Sequence, residues 1–207
     1  RPMRCAARSS SSAPPPPAND ACAGAAEIIP STLLNCSERF SGSLLGATSS
    51  GNDCQMQAVN DVWYQFTAAS PSYRVTLTPQ GNDAYGFEVY SGDCDQLVSI
   101  SCANYDQFSQ TLTNLTVGAT YYLRIFSSSV SSFDFQCCVL TLPLPPVNDE
   151  CAGALPLPVN PDVSFDLFTQ GTTLGATSSL PDCGGTNSTH DVWYSFVATS
   201  VSHRILF

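Results

Sequence analysis

The sequence predicts an all-β fold, built as tandem antiparallel β-sandwiches of which the second is incomplete within this chain. Three observations predict it. The chain repeats itself at the spacing of a whole domain. Its apolar residues fall in short β-branched and aromatic runs separated by turn residues, and no stretch carries a convincing helical period.

The repeat is read from NDACAGAAEI, GATSS, NDC and DVWYQF over residues 19–66, which return as NDECAGALPL, GATSS, PDC and DVWYSF over 148–196. Asn19, Asp20, Cys22, Gly46, Cys54, Asp61 and Trp63 recur as Asn148, Asp149, Cys151, Gly175, Cys183, Asp191 and Trp193. The first copy is expected to span 19–143 as one sandwich of about eight strands. The second, 148–207, is expected to be the first half of another. Two Pro-rich stretches precede the copies: a Ser/Pro-rich linker over 1–18 containing PPPP, and PLPP within the linker 144–147 and its flank. Polyproline II makes such tracts stiff spacers. The interruption at Phe207 is read as a piece of a longer repeat protein, or a subunit completed by another chain.

Strands are expected at Asp61–Ala68, Tyr73–Thr78, Tyr85–Tyr90, Leu97–Cys102, Thr120–Phe126 and Phe133–Leu142, all rich in Val, Tyr, Phe and Thr. Cys22–Ile28 is expected to make at most one helical turn. Short strands without intervening helices point to a sandwich, not a βαβ sheet.

Composition narrows function. Of 207 residues 43% are hydrophobic, enough for a core, and only 12% are charged. Lysine is absent, and the net charge of −10 makes phosphate backbones and anionic membranes poor partners. No run of about 20 apolar residues is present to insert in a bilayer. Expected partners are neighbouring repeats of the same chain or further copies of it, and glycans. Nucleic acid and membrane insertion are not expected.

Ten cysteines in such a chain indicate an oxidising, extracellular or cell-surface location. No CxxC is present and the two histidines lack cysteine neighbours at zinc spacing, so no metal site is expected. The simplest pairing uses the repeat, Cys22–Cys54 and Cys151–Cys183, with a rival in which Cys151 bonds a residue beyond Phe207. Cys94 and Cys102 are close enough for a local clip. Strand alternation in FDFQCCVL turns Cys137 inward and Cys138 outward. Cys36 is the expected partner of Cys137, leaving Cys5 in the tail or a cysteine of a neighbouring molecule for Cys138.

No GxSxG, HExxH or phosphate-binding loop occurs, no cofactor motif is present, and no catalytic residue is expected. His190 and His203 have no counterparts in the first copy, where Tyr73 stands at the position of His203. Asp61 and Asp191 open strands after polar loops, where aspartate caps turns. Trp63, Tyr64 and Phe66 pose the question of an aromatic sugar platform, with Trp63 expected in the core. Asn114 and Asn187 head N-glycosylation sequons in expected turns, and Asn35 heads a third next to Cys36.

The strings DVWYQFTA, YRVTLT, FEVYSGDCDQLVSISC, LTNLTVGATYYLRI and FDFQCCVLTL resemble the secreted β-sandwich repeats related to the bacterial pre-peptidase C-terminal (PPC) domain, as in Bacteroidota cell-surface proteins. The Pro tracts are also similar to those of algal extracellular-matrix and flagellar-hair glycoproteins. The PPC resemblance implies a non-catalytic, jelly-roll-like module for attachment, spacing or substrate contact. It also implies calcium as a ligand to consider, at Asp83, Asp93 or Asp95. The resulting expectation is a non-enzymatic structural or adhesive component of a surface filament or matrix. The alternative is a carbohydrate- or polymer-binding module appended to a secreted enzyme.

Overall fold

In the computed structural model, residues 14–51, 58–80, 85–103, 107–128, 134–178 and 190–206 are described. They form two compact units, Arg1–Leu142 and Pro143–Phe207. The first is an all-β sandwich, and nine of its strands lie among the described residues. They are β1 (Ala26–Glu27), β2 (Phe40–Ser43), β3 (Asn60–Thr67), β4 (Tyr73–Pro79), β5 (Tyr85–Ser91), β6 (Val98–Ala103), β7 (Ser109–Leu112), β8 (Thr120–Ser127) and β9 (Asp134–Thr141). A single 3-10 turn, Cys22–Gly24, stands where one helical turn was expected.

Six of these strands match the β-branched and aromatic runs to within a residue or two. The strands that the sequence did not announce, β1, β2 and β7, are two to four residues long and lie along sheet edges. FSGS at β2 has a single apolar residue, so it carries no alternation to read. Neighbouring strands hold it in place instead.

The strands make two sheets, ordered β1-β3-β8-β5-β6 and β2-β9-β4-β7. All pairings are antiparallel except β1 with β3, where Ala26 lies beside Tyr64. Between the sheets, Val62, Tyr64 and Phe66 of β3, Phe87 and Val89 of β5, and Leu123 and Ile125 of β8 meet Tyr73, Val75 and Leu77 of β4 and Phe135, Cys137 and Val139 of β9. Period-2 alternation produces this directly, because every second residue of each strand faces the same way. The aromatic rings interlock, with Tyr64 edge-on to Phe135 at 6.2 Å and Phe66 5.2 Å from Tyr73. Each fully buried aromatic of this kind contributes roughly 1.5–3 kcal/mol of transfer free energy. Gly42 of β2 makes room for this packing: a Cβ there would collide with the Tyr64 hydroxyl and the Phe135 ring.

The second unit repeats the entry of the first. Cys151–Gly153 forms the same 3-10 turn, and Leu155–Pro156 (β10) pairs in parallel with Tyr194–Ser195 (β11), as β1 pairs with β3.

Candidate functional site

The chemistry-bearing residues of the first unit gather on the outer side of the five-stranded sheet, opposite the apolar core. Register explains the grouping. Trp63 of β3 and Glu88 of β5 both lie directly beside Arg124 of β8, and all three alternate with core residues. Asp61 sits one outward position along β3. The Arg124 guanidinium donates from Nη2 to Asp61 Oδ2 at 2.8 Å and to the Gly51 carbonyl at 2.7 Å. Both side chains of the ion pair are buried. The guanidinium also lies 5.8 Å from the Trp63 ring and 5.7 Å from the Phe126 ring.

A loop closes over this cluster. Asp61 accepts from the Ser50 backbone N–H at 2.7 Å and the Ser50 hydroxyl at 2.6 Å, and from the Trp63 indole N–H at 2.9 Å. The N-terminal segment is tied to the same loop: Asp20 accepts from Thr48 N–H at 2.6 Å and its hydroxyl at 2.7 Å, while the Asn19 amide donates to the Trp63 carbonyl at 3.0 Å. The motifs NDxC, GATSS and DVWY are therefore one hydrogen-bonded hook. Asp61 caps a turn, as expected of an aspartate that opens a strand. Desolvation opposes the charge of Arg124, but the adjacent Asp61 carboxylate outweighs it and holds the guanidinium protonated above its ordinary range. Burial, reinforced by a hydrogen bond with Glu88, pushes the Tyr90 phenol up.

The second unit reproduces the Asn-Asp part of the hook. Asp149 accepts from Thr177 N–H at 2.6 Å and its hydroxyl at 2.9 Å, and Asn148 donates to the Trp193 carbonyl at 3.0 Å. Gly46 and Gly175 adopt φ of 78° and 80°, and a Cβ on either would crowd a carbonyl of the Pro-rich stretch before its own copy. The end of each Pro tract is thus packed against its hook.

The expectation for Trp63 is revised. Trp63 is buried, but under the loop on the outer face and not in the sandwich core, while Tyr64 and Phe66 are buried in that core. None of the three offers an exposed sugar platform. His203 stands at the position of Tyr73 in the first copy. Its Nε2 accepts from the backbone N–H groups of Thr199 and Ser200 at 3.1 and 3.2 Å, and the Tyr73 hydroxyl accepts from Ala69 and Ser70 at 2.6 and 3.0 Å in the first copy. A ring nitrogen replaces a phenol oxygen in the same structural task.

The disulfides correct the pairing. Cys22 bonds Cys94 and not Cys54, which also removes the Cys94–Cys102 clip; Cys102 is bonded to another cysteine. Cys36 bonds Cys138 and not Cys137. Cys137 faces inward as its alternation requires, and is a free, fully buried thiol. Cys138 does point away from the core, yet it is buried, bonded inside its own sandwich and closed to any neighbouring molecule. The reason is a cover that the strand pattern does not reveal. Ser31 bridges to β9, donating to the Val139 carbonyl at 2.7 Å and accepting from Thr141 at 2.8 Å. The loop from Ser31 to Arg39 therefore lies over Cys138 and Leu140. Cys151 is free and exposed, so the Cys151–Cys183 pairing is not formed.

Cys5, Cys54, Cys183, Asp83 and Asn187 lie outside the described residues. Asn114 is exposed in a turn with φ of 60°. Asp93 and Asp95 are exposed in the turn after β5, and among the described residues no group of three or more His, Cys, Asp or Glu is arranged to hold a metal ion.

Asp61, Ser50, Trp63 and Arg124 bond to one another and to the loop, which is the arrangement of a structural pin, while Glu88 Oε2 is buried with no hydrogen-bond partner. Among the described residues no helix is long and apolar enough to cross a membrane.

A family model described as galactose binding domain-like, of the T9SS-associated type, matches residues 18–138. No curated protein matches the chain. Among solved structures, the chain is similar to the pre-peptidase C-terminal domain of collagenase from Bacillus anthracis, at 12% identity over 56% of this chain and 93% of that chain, with a TM-score of 0.34. It is also similar to Salmonella Typhimurium PliG, a periplasmic lysozyme inhibitor of g-type lysozyme, at 14% identity over 55% of this chain and 97% of that chain, with a TM-score of 0.31. The matched span contains both described disulfides, the hook and nearly all of the nine-stranded sandwich. The chain therefore belongs to the galactose binding domain-like, T9SS-associated family, as a disulfide-bonded β-sandwich protein that is secreted or displayed at the cell surface.

Proposed function

We propose that this chain is a non-enzymatic extracellular building block, a structural or adhesive repeat of a surface filament or matrix. One observation supports the reading: the same Asn-Asp hook recurs in both copies and uses its polar groups internally. Selection for a rigid, reusable unit explains the repeated Asn-Asp hook better than selection for a reacting site. The acidic, lysine-free surface disfavours nucleic acid and anionic membranes as attachment points. Neighbouring repeats and polymeric glycans remain as the contacts that an acidic, Ser/Thr-rich surface suits.

The second reading, a carbohydrate- or polymer-binding module attached to a secreted enzyme, is favoured by the description of its family. Among the described residues the exposed phenylalanines that could stack on sugar rings are Phe108 on the sandwich and Phe165, Phe168 and Phe196 in the second unit, since Trp63 and Tyr64 are buried. Glycan-array binding by the secreted protein decides between the two. Specific binding that falls at least tenfold in Phe108→Ala or Phe168→Ala supports the binder. A flat array together with loss of surface integrity or cell adhesion on deleting 19–142 supports the building block.

A further inference from the structure

The two outer faces of the first sandwich differ. That of the five-stranded sheet is roofed by the loop of Ser50 and Gly51 over Asp61, Trp63 and Arg124. On the four-stranded sheet, alternation turns Arg74, Thr76 and Thr78 of β4 outward, with Thr111 of β7 beside Arg74 and Ser109 beside Thr76. Arg74, Ser109 and Thr111 are exposed. Arg39 closes the far end of this strip, donating from Nε to the Cys36 carbonyl and from Nη1 to Thr78 Oγ1, both at 3.0 Å. Thr78 lies four residues along β4 from Arg74, about 13 Å. A guanidinium therefore stands near each end, with hydroxyls between.

The strip holds the positive charge of its unit. Lysine is absent, and among the described residues of the first unit the arginines are Arg39, Arg74 and the buried Arg124. Arg204 occupies the position of Arg74 in the second copy. The strands of this sheet carry one carboxylate, Asp134 at the start of β9, and Glu38 next to Arg39 accepts from the Ser31 hydroxyl at 3.2 Å. Asp93 and Asp95 are exposed elsewhere, in the turn after β5 that the Cys22–Cys94 bond fastens to the hook.

We infer that the Arg39–Arg74 strip receives the Asp93–Asp95 turn of a second copy of this chain. Copies with a net charge of −10 repel one another, so they meet where the few guanidiniums of one face carboxylates of the other. The strip and the turn are different surfaces, so the contact is head-to-tail and passes from copy to copy. Exposed ion pairs are individually weak and screened by salt, so the contact needs both arginines. The inference rests on the building-block reading and names the partner in it.

Sedimentation of the native secreted protein should show self-association that weakens about tenfold between roughly 0.05 M and 0.5 M salt. The double variants Arg39→Glu/Arg74→Glu and Asp93→Arg/Asp95→Arg should each be monomeric alone, because each presents one sign of charge on both surfaces. Mixed in equal amounts they should associate again, since each supplies the charge that the other has reversed, which misfolded variants would not do. Association kept by either variant alone, a mixture that stays monomeric, or a wild type monomeric at low salt would overturn the contact. So would a monomeric wild type that binds polyuronate through Arg39 and Arg74, which would give the strip to an acidic glycan. The building-block reading fails on a different result, surface integrity and adhesion unchanged by deleting 19–142.

Discussion

Asp61 and Arg124 come from adjacent strands and meet at 2.8 Å where neither touches solvent, with the loop of Ser50 and Gly51 closed over both. The pair is the point at which strand register, loop closure and the NDxC segment are locked to one another. Burying two charges is costly, so such a pair matters most when one member is lost.

Asp61→Asn should therefore lower the stability of the first unit by about 3–5 kcal/mol, because Arg124 keeps its charge without its counterion. Urea unfolding of the wild type, Asp61→Asn, Arg124→Met and the double variant measures this. The double variant should be clearly more stable than the sum of the two single losses predicts. Additive losses would show that the pair does not act as a unit.

Removing the Cys36–Cys138 bond with paired Cys→Ser substitutions should cost about 2–5 kcal/mol, since it closes a long loop across 102 residues. Cys137→Val, next to it in sequence, should cost under about 1.5 kcal/mol, because the position holds a free thiol packed among apolar side chains. Burial pushes that thiol up and shields it. In native protein a thiol reagent should leave Cys137 unmodified, then label it once the chain is unfolded in denaturant.

Alkaline pH should unfold the first unit. Burial raises the phenols of Tyr90 and Tyr64 above their ordinary value of about 10. A raised folded-state value means that the stability is fully present below the unfolded value. It is lost as pH rises above about 10, where the unfolded chain ionises first. Stability measured from pH 8 to 12 should fall from about pH 10 upward, with Tyr90→Phe flattening the slope. Phenolate absorbance should rise with the unfolding transition and not before it.

Tyr73 and His203 should be interchangeable with each other but not with phenylalanine. Tyr73→Phe leaves the N–H groups of Ala69 and Ser70 without their acceptor and should cost about 1–3 kcal/mol. His203→Tyr should preserve hydrogen-exchange protection at Thr199 and Ser200, and His203→Phe should lose it at both amides.

Gly24→Ala and Gly153→Ala should each loosen the hook of their own copy. A Cβ at Gly24 would strike the Ala18 carbonyl, and one at Gly153 the Val147 carbonyl. Because backbone cannot move as a side-chain tip can, faster exchange at Thr48 and Thr177 is the expected readout.

By itself the sequence determined what is local or repeated. Alternation of apolar residues located six strands within a residue or two and turned Cys137 inward, because side-chain direction along a strand follows from backbone geometry alone. The repeat joined NDxC, GATSS and DVWY as corresponding parts, and identical residues then made identical bonds in both copies. Only tertiary structure decided what lies over what. The short edge strands β1, β2 and β7 exist because longer neighbours offer hydrogen-bonding edges, and no periodicity in four residues announces that. The loop over Cys138 hid a position that alternation had turned outward, and long-range closure brought Cys22 to Cys94, 72 residues away, in preference to nearer cysteines. Arg124 went unnoticed in sequence for the same reason, since its meaning comes from strands β3 and β5 on either side of it. A disulfide or a buried ion pair is fixed by where the sheets place two residues in space, and spacing along the chain carries no measure of that distance.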